Sequence, residues 1–290
     1  MYRNLIGFPE GVNPLFDQIT LGVSGDTNLI KTRLYNHPEC AFPISVAKDD
    51  TELPVTYISF EPAGDMRTLD CYLHVVAEYI MERYETKLLR RILEENHKDL
   101  SLLQKREVLK SVPLYTDDVI MGYHARKQMI LLSLYDYFKE DSLMHLDGFV
   151  SFRLKDYEAL LEQLAERMVE DCLTRKEYEE FIELLQYFVN MQESRPKCVH
   201  ICVHPCGGYA IYDAEEKDIT AKSFQEFVDE EALLTEEMYD DLLISILITL
   251  APEKVVVHNG SAIRNKELFN TVERVFEGHV TLCPGCHLCT

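Results

Sequence analysis

The sequence predicts an α+β protein in which a helical middle region is followed by a C-terminal α/β unit, with a short β-containing segment at the N-terminus. Three observations predict this class. Apolar residues recur every three or four positions through the middle of the chain, alternate with a period of two after Pro196, and then form a strand–helix–strand pattern. The predicted boundaries are residues 1–65, 66–195 and 196–290, and 47% apolar content in 290 residues is enough for a substantial core.

The N-terminal segment, residues 1–65, is interrupted by glycines and prolines, which leave room only for short elements. Two strands are predicted in it, at 44–47 and 55–60, because β-branched and aromatic residues concentrate there. We expect these strands to form a small sheet.

The middle region is predicted to contain several amphipathic helices. One long helix begins near residue 68 and continues past residue 90, because neither glycine nor proline interrupts residues 65–112. Shorter helices are predicted at about 102–109 and 117–140, the second of them with a glycine, Gly122, near its start.

Two further helices are predicted as a neighbouring pair. The first carries an apolar stripe from Leu154 to Val169, and the second opens at Thr174, which forms a capping-box pattern with Glu177. This second helix ends before Pro196. Six of its side chains are predicted to face inward: Tyr178, Phe181, Ile182, Leu185, Phe188 and Val189. A short connection between the two helices favours packing side by side.

The C-terminal unit is predicted to begin with a hairpin, from a strand at 199–203 and a returning strand at 209–212. A helix at about 235–250 follows, with an apolar second half that we expect to be buried. Residues 254–282 then form a β-α-β unit of minimal length, in which Asn265 caps the helix. The two strands of such a unit are expected to be parallel.

The charge of the chain disfavours two classes of partner. Lys and Arg number 29 and Asp and Glu 50, so the net charge is −21. Such an acidic surface repels phosphate backbones and anionic lipids, so neither nucleic acid nor membrane is expected as a partner. The expected partner is another protein, whose identity the sequence does not give. Nine cysteines and an N-terminus without an apolar stretch of signal-peptide length predict a cytoplasmic protein with reduced thiols or bound metal.

The last residues of the sequence contain a cysteine pattern whose spacing is typical of a metal-binding or redox site. Cys283, Cys286 and Cys289 form two overlapping Cys-x-x-Cys steps, and a Pro-Gly pair makes the turn in the first. Three thiolates and one further ligand make a tetrahedral zinc site, whereas an iron–sulfur cluster is the less favoured alternative. His258 follows the first strand of the β-α-β unit and Cys283 the last, so parallel strands bring them to one edge. His287 and Cys206 remain alternatives for the fourth ligand.

The terminal cysteines and two other groups of potential site residues have alternative interpretations. The terminal cysteines can instead be redox-active thiols or an inert tail. The predicted strand 199–203 and its flanking residues place four potential ligands on one face, but a packed face is favoured because alternate residues lie about 7 Å apart; they are Cys198, His200, Cys202 and His204. Asp213 and Asp218 can serve a metal-dependent hydrolase near His258, although solvated turn residues are the simpler interpretation.

Two stretches carry a resemblance to a known family. The sequence FVSFRLKDY at 149–157 and the sequence KEYEEFIELLQYFV at 176–189 resemble the YtxC family of sporulation proteins, and the hairpin and β-α-β end are also similar to that family. The resemblance implies a sporulation-associated protein of endospore-forming bacteria. It implies no assigned activity and supplies no catalytic residues.

Two functions follow as hypotheses. The first is a cytoplasmic, non-catalytic interaction protein in which a C-terminal zinc knuckle fastens the edge of the sheet or a partner protein. The alternative is an enzyme that uses the carboxyl edge of the C-terminal sheet, as a metal-dependent hydrolase or a thiol redox or sensor protein. Structural zinc has all its positions filled by protein ligands, whereas catalytic zinc keeps a water molecule. The coordination of a bound zinc therefore distinguishes the interaction protein from the hydrolase.

Overall fold

The computed structural model describes residues 18–37, 44–49, 55–61, 66–193, 195–205, 208–225 and 236–289. It confirms the predicted α+β class, with β-strands near the N-terminus, a helical middle and a C-terminal α/β part. The chain divides into two units, Met1–Cys172 and Leu173–Thr290.

The strands of the described residues form two four-stranded sheets, one in each unit. The strands are β1 (Ile19–Ser24), β2 (Ile44–Lys48), β3 (Val55–Phe60), β4 (Leu143–His145), β5 (Val199–Val203), β6 (Tyr209–Tyr212), β7 (Val255–His258) and β8 (Val280–Leu282).

The α-helices vary from six to 37 residues. They are α1 (Asn28–Tyr35), α2 (Met66–Ile80), α3 (Thr86–Asn96), α4 (Leu102–Lys110), α5 (Tyr123–Glu140), α6 (Leu146–Arg153), α7 (Lys155–Met191), α8 (Thr220–Gln225), α9 (Glu236–Leu250) and α10 (Lys266–Val275). Within the ranges that the structure describes, none of these helices is both long and apolar enough to cross a bilayer.

The sheet of the first unit has the order β2-β3-β1-β4. β3 pairs antiparallel with both β1 and β2, whereas β4 pairs parallel with β1. The strands predicted at 44–47 and 55–60 are confirmed as β2 and β3. β1 and β4 have no counterpart in the sequence prediction.

The long helix predicted from residue 68 is confirmed, with a local irregularity. A five-residue π-helical segment, Met81–Glu85, connects α2 directly to α3. Glu85 in this segment is buried and pairs with Arg126, whose Nε lies 3.0 Å from Glu85 Oε2. The Tyr157 hydroxyl donates to the same oxygen at 2.6 Å, so the buried carboxylate has a charged partner and a second donor.

The predicted start of the helix at 117–140 is wrong, because α5 begins only at Tyr123. Upstream of it, the Asp118 carboxylate accepts the backbone N–H groups of Ile120 and Met121, both at 2.9 Å, which holds a turn. Gly122 then lies so close to this turn that a Cβ would meet the Asp118 carbonyl oxygen at 2.0 Å. This turn therefore takes the place of the first helical residues that were predicted from residue 117.

The prediction of two paired helices at 154–191 is also wrong. The structure has one continuous helix, α7, and Thr174 lies inside it rather than at a cap. No glycine or proline occurs between residues 155 and 191, and most of the residues there are good helix formers. A capping-box pattern marks a helix start only where the preceding residues leave the helical conformation, and here they do not.

The sheet of the second unit has the order β6-β5-β7-β8. β5 and β6 form the predicted antiparallel hairpin, and β7 and β8 are parallel as the β-α-β prediction required. The predicted cap of α10 is confirmed, since Asn265 Oδ1 accepts the backbone N–H of Leu268 at 3.0 Å. The sheet core contains buried residues of β5, β6 and β7 and of α7, α9 and α10, and half-buried Val280 of β8 packs against it.

One side of α7 in this unit is exposed. Ile182, Leu185 and Val189 are buried in the core, as predicted. Phe181 and Phe188, which were predicted to face inward, are 45% and 47% exposed, so that prediction is wrong. The apolar residues of this segment cover more than one helix face, and the sheet covers only part of that width.

Candidate metal centre

Two parallel strands bring the first two site residues together. His258 ends β7, and Cys283 comes directly after β8, the parallel neighbour of β7. The Cys283 backbone N–H donates to the Val257 carbonyl at 2.8 Å, which extends the ladder by one bond and fixes the start of the terminal segment. Both residues therefore lie at the carboxyl edge of the sheet, as the sequence predicts.

The chain then turns back toward His258. Gly285 has a φ of +133°, a conformation that L side chains rarely adopt. A short 3₁₀ turn, His287–Cys289, follows, and the Cys289 backbone N–H donates to the Cys286 carbonyl at 3.0 Å. This reversal brings Cys286 and Cys289 to the same point.

The four predicted ligands converge on one small volume. His258 Nδ1 lies 3.3 Å from Cys286 Sγ and 3.4 Å from Cys289 Sγ, and these two sulfurs are 3.9 Å apart. With Cys283 included, one ligand atom from each residue lies within 4.8 Å of the others. Tetrahedral zinc bonds of about 2.3 Å to sulfur and about 2.0 Å to nitrogen place ligand atoms about 3.5 to 3.8 Å apart, so the set fits one zinc ion.

A single ion fits these distances better than a cluster does. An iron–sulfur cluster distributes its ligands over several iron atoms and so separates them further than one ion does. Three thiolates with one imidazole is also a common structural zinc donor set. The donors therefore favour zinc over an iron–sulfur cluster.

The electrostatics of the site favour a thiolate at Cys289. The backbone N–H of Asn259, followed by that of Cys286 and the His258 ring, lowers the pKa of the Cys289 thiol to about 6. Asn259 is in the left-handed conformation, with φ of +56°, and its side-chain amide donates to the Val203 carbonyl at 3.2 Å. At neutral pH, Cys289 is therefore in the deprotonated form that binds metal.

A fourth cysteine lies beside the site and has different chemistry. Cys202 on β5 is the register partner of His258 and is 5% exposed. Burial, followed by the nearby cysteines of the terminal segment, raises its pKa to about 11. Cys202 is therefore a protonated thiol at neutral pH, and its sulfur is not a member of the converging group.

His200 contacts the site from the neighbouring strand, a contact that sequence reasoning missed. His200 Nδ1 lies 3.0 Å from His258 Nε2, and His200 Nε2 lies 3.6 Å from Cys198 Sγ. Burial and then the adjacent His258 lower the pKa of His200, so its ring is neutral at neutral pH. Of the alternating row on β5, Cys202 is buried, Cys198 and His200 are half-buried, and His204 is exposed.

The alternative site residues lie elsewhere or outside the described ranges. His287 points away from the group, with its Nε2 2.8 Å from Glu216 Oε2, and Cys206 lies outside the described residues. The Asp213 carboxylate accepts the backbone N–H groups of two following residues, and Asp218 accepts that of Thr220. Both aspartates are thus engaged in local turns.

Comparison with known proteins identifies the family. The chain is 28% identical over 161 residues to the uncharacterized protein YtxC of Bacillus subtilis, strain 168, and the match spans about half the length of each chain, 55% in both cases. No solved structure matches the chain. The sequence model of the YtxC-like family matches residues 70–281, which include most of both units and His258 but end before the three cysteines of the candidate metal centre. The chain therefore belongs to the YtxC-like family.

Proposed function

We propose that this chain is a non-catalytic interaction protein of the cytoplasm, associated with sporulation, whose C-terminal segment is fastened to its sheet by one zinc ion. The observation that carries the proposal is the convergence of three cysteines and His258 within 4.8 Å. The resemblance to sporulation proteins supports the cellular role, and the reduced thiols of a cytoplasmic protein suit metal binding.

The donor set favours a structural ion over a catalytic one. Three thiolates and an imidazole fill the four positions of tetrahedral zinc, so no position remains for a water molecule. The group also contains no carboxylate, and the two aspartates considered for a hydrolase accept backbone hydrogen bonds instead. A closed site of this kind stabilises the fold and does not activate water.

A thiol redox role is the second candidate, and one observation favours it. Cys289 has a lowered pKa, and its sulfur lies 3.9 Å from that of Cys286, which is exposed. An accessible thiolate beside a second thiol is the arrangement of redox-active Cys-x-x-Cys pairs. Zinc content separates the two candidates, because a redox pair needs no metal.

The exposed side of α7 supports a protein partner. Its large apolar side chains are 45–62% exposed and follow one another at helical spacing: Phe181, Leu184, Tyr187, Phe188 and Met191. This α7 stripe has the size of a functional patch, since five half-exposed large side chains contribute on the order of 500 Å². Glu177, Glu180 and Glu183 surround it and are exposed. Charge complementarity therefore favours a basic amphipathic helix as the occupant.

The zinc proposal is tested by the metal content of protein purified anaerobically without an affinity tag. We expect about one zinc per chain, bound by the wild type and by a Cys198→Ser control, which changes a neighbouring cysteine outside the group. The triple variant Cys283→Ser, Cys286→Ser, Cys289→Ser should lose both the zinc and thermal stability. Absence of metal from wild-type protein, with a disulfide formed on mild oxidation, would favour the redox candidate.

The partner proposal is tested by a photo-crosslinking residue placed at Leu184 in cells, with the same residue at exposed Lys222 as control. The expected product is a protein crosslinked through a basic amphipathic helix, and charge reversal by Glu180→Lys and Glu183→Lys should abolish it. A crosslink that survives the charge reversal, or none at all, contradicts the proposed occupant.

A further inference from the structure

We propose that His200 is a positioning residue of the metal centre: it accepts the Nε2–H of His258 and so holds the His258 ring in the tautomer that offers Nδ1 to the metal. This inference rests on the proposed zinc site. It concerns a residue that is not a metal ligand and that lies on a different strand, β5.

The two nitrogens of His258 face different partners. Nδ1 lies 3.3 and 3.4 Å from the sulfurs of Cys286 and Cys289, whereas Nε2 lies 3.0 Å from His200 Nδ1. A ring nitrogen that binds a cation carries no hydrogen, so the neutral His258 ring must carry its hydrogen on Nε2. That hydrogen points at His200 Nδ1, which must therefore be an unprotonated acceptor.

The next link of the chain is consistent with this assignment. When His200 Nδ1 accepts, the neutral His200 ring carries its own hydrogen on Nε2. His200 Nε2 lies 3.6 Å from Cys198 Sγ, which is within range of a weak N–H donor bond to sulfur. One direction of donation therefore runs from His258 through His200 to Cys198, with every ring hydrogen assigned a partner.

Because His258 is buried, water cannot easily replace His200 as the acceptor of its ring hydrogen. His258 is 2% exposed, so water has little access to its ring as an alternative acceptor. Ligating histidines commonly donate their other N–H to a carboxylate or a backbone carbonyl. Three thiolates around one Zn²⁺ already leave one excess negative charge, and a neutral imidazole acceptor adds no further negative charge beside it.

The test compares the zinc affinity of full-length variants by competition with a chromophoric chelator. His200→Leu removes the acceptor, and we expect zinc to bind 10- to 100-fold more weakly, as is usual when the outer partner of a ligating histidine is lost. His200→Gln keeps a carbonyl acceptor and should recover most of this loss. His204→Leu, which changes an exposed histidine outside the chain of His258, His200 and Cys198, should bind zinc within about threefold of wild type.

A second readout reports the tautomers directly. In ¹⁵N NMR spectra of zinc-loaded wild-type protein, His258 and His200 should both carry their hydrogen on Nε2. This measurement uses no variant and so remains decisive if His200→Leu fails to fold.

The outcomes of these tests distinguish a failure of the zinc site from a failure of the positioning role of His200. If wild-type protein binds no zinc, the zinc site and the role of His200 both fall. If wild-type protein binds zinc but His200→Leu binds it equally well, or if His200 carries its hydrogen on Nδ1, only the positioning role is overturned.

Discussion

Zinc removal should loosen the C-terminal segment more than any other part of the chain. In residues 280–289, β8 has only three residues, its Leu282 is 58% exposed, and no residue of the segment is buried. The Cys283 N–H bond to the Val257 carbonyl is one of the few backbone bonds that hold it. Apolar burial and this short ladder therefore stabilise the segment only slightly, by about 1 kcal/mol.

Under the proposal, zinc changes this balance by mass action. At a free zinc concentration about 1,000 times the dissociation constant, binding stabilises the closed segment by about 4 kcal/mol. Amide hydrogen exchange through local opening should then be about a thousandfold slower with zinc than without it. The Cys283 and Cys289 amides, which donate to backbone carbonyls, are the appropriate reporters.

The assay is hydrogen exchange of the full chain with and without a strong chelator, followed by peptide mass spectrometry. Peptides that contain the terminal segment should lose most of their protection on chelation, whereas peptides from β3 in the first unit should not change. Equal protection of the terminal segment in both states would refute the reasoning, because it would mean that the sheet alone holds the segment.

Four substitutions, one of them a control, test the account of the fold by chemical denaturation. Gly122→Ala should destabilise the protein by about 3 kcal/mol, because the new Cβ would overlap the Asp118 carbonyl oxygen. Gly148→Ala is the control: it has open space around it in α6 and should stabilise the protein by about 0.5 kcal/mol. Equal effects of the two substitutions would contradict the close approach at Gly122. Arg126→Met should cost about 3 kcal/mol because it leaves a buried carboxylate without its cation, and a neutral effect would show that carboxylate to be protonated or solvated. Asn265→Ala should cost about 1 kcal/mol through the lost cap of α10, and no change would mean that water replaces the cap.

The parts of the fold predicted correctly are those specified by local pattern. The β5–β6 hairpin and the β7–α10–β8 unit each have a clear periodicity, a cap or turn signal, and partners close in sequence. β1 and β4 were missed because their pairing joins residues more than 100 positions apart. A glycine at position 22 disfavours a strand on sequence grounds. Gly22 nevertheless lies within β1, where a Cβ would meet His145 Nδ1 at 2.7 Å.

The convergence of the four candidate ligands was predictable for a related reason. Parallel strands of one β-α-β unit place their carboxyl ends together, which is enough to bring His258 to Cys283. Convergence of Cys286 and Cys289 on the same point then follows from the turn at Gly285.

The contact between His200 and His258 was not predictable from the same pattern. Its neighbour in the site, His258, lies on β7, and the two meet only because β5 pairs parallel with β7. The periodicity of residues 199–203 shows that His200 shares a face with Cys198 and Cys202, but it does not specify the strand alongside. The pairing of non-consecutive strands was the missing information.

The central claim is that three cysteines and one histidine of this chain bind a single zinc ion. X-ray absorption at the zinc edge of protein purified from cells in its native metal state tests it most directly. The account predicts about three sulfur ligands at about 2.3 Å and one nitrogen at about 2.0 Å, with no oxygen ligand. A shell that contains oxygen, a different sulfur count, or protein that carries no zinc would contradict it.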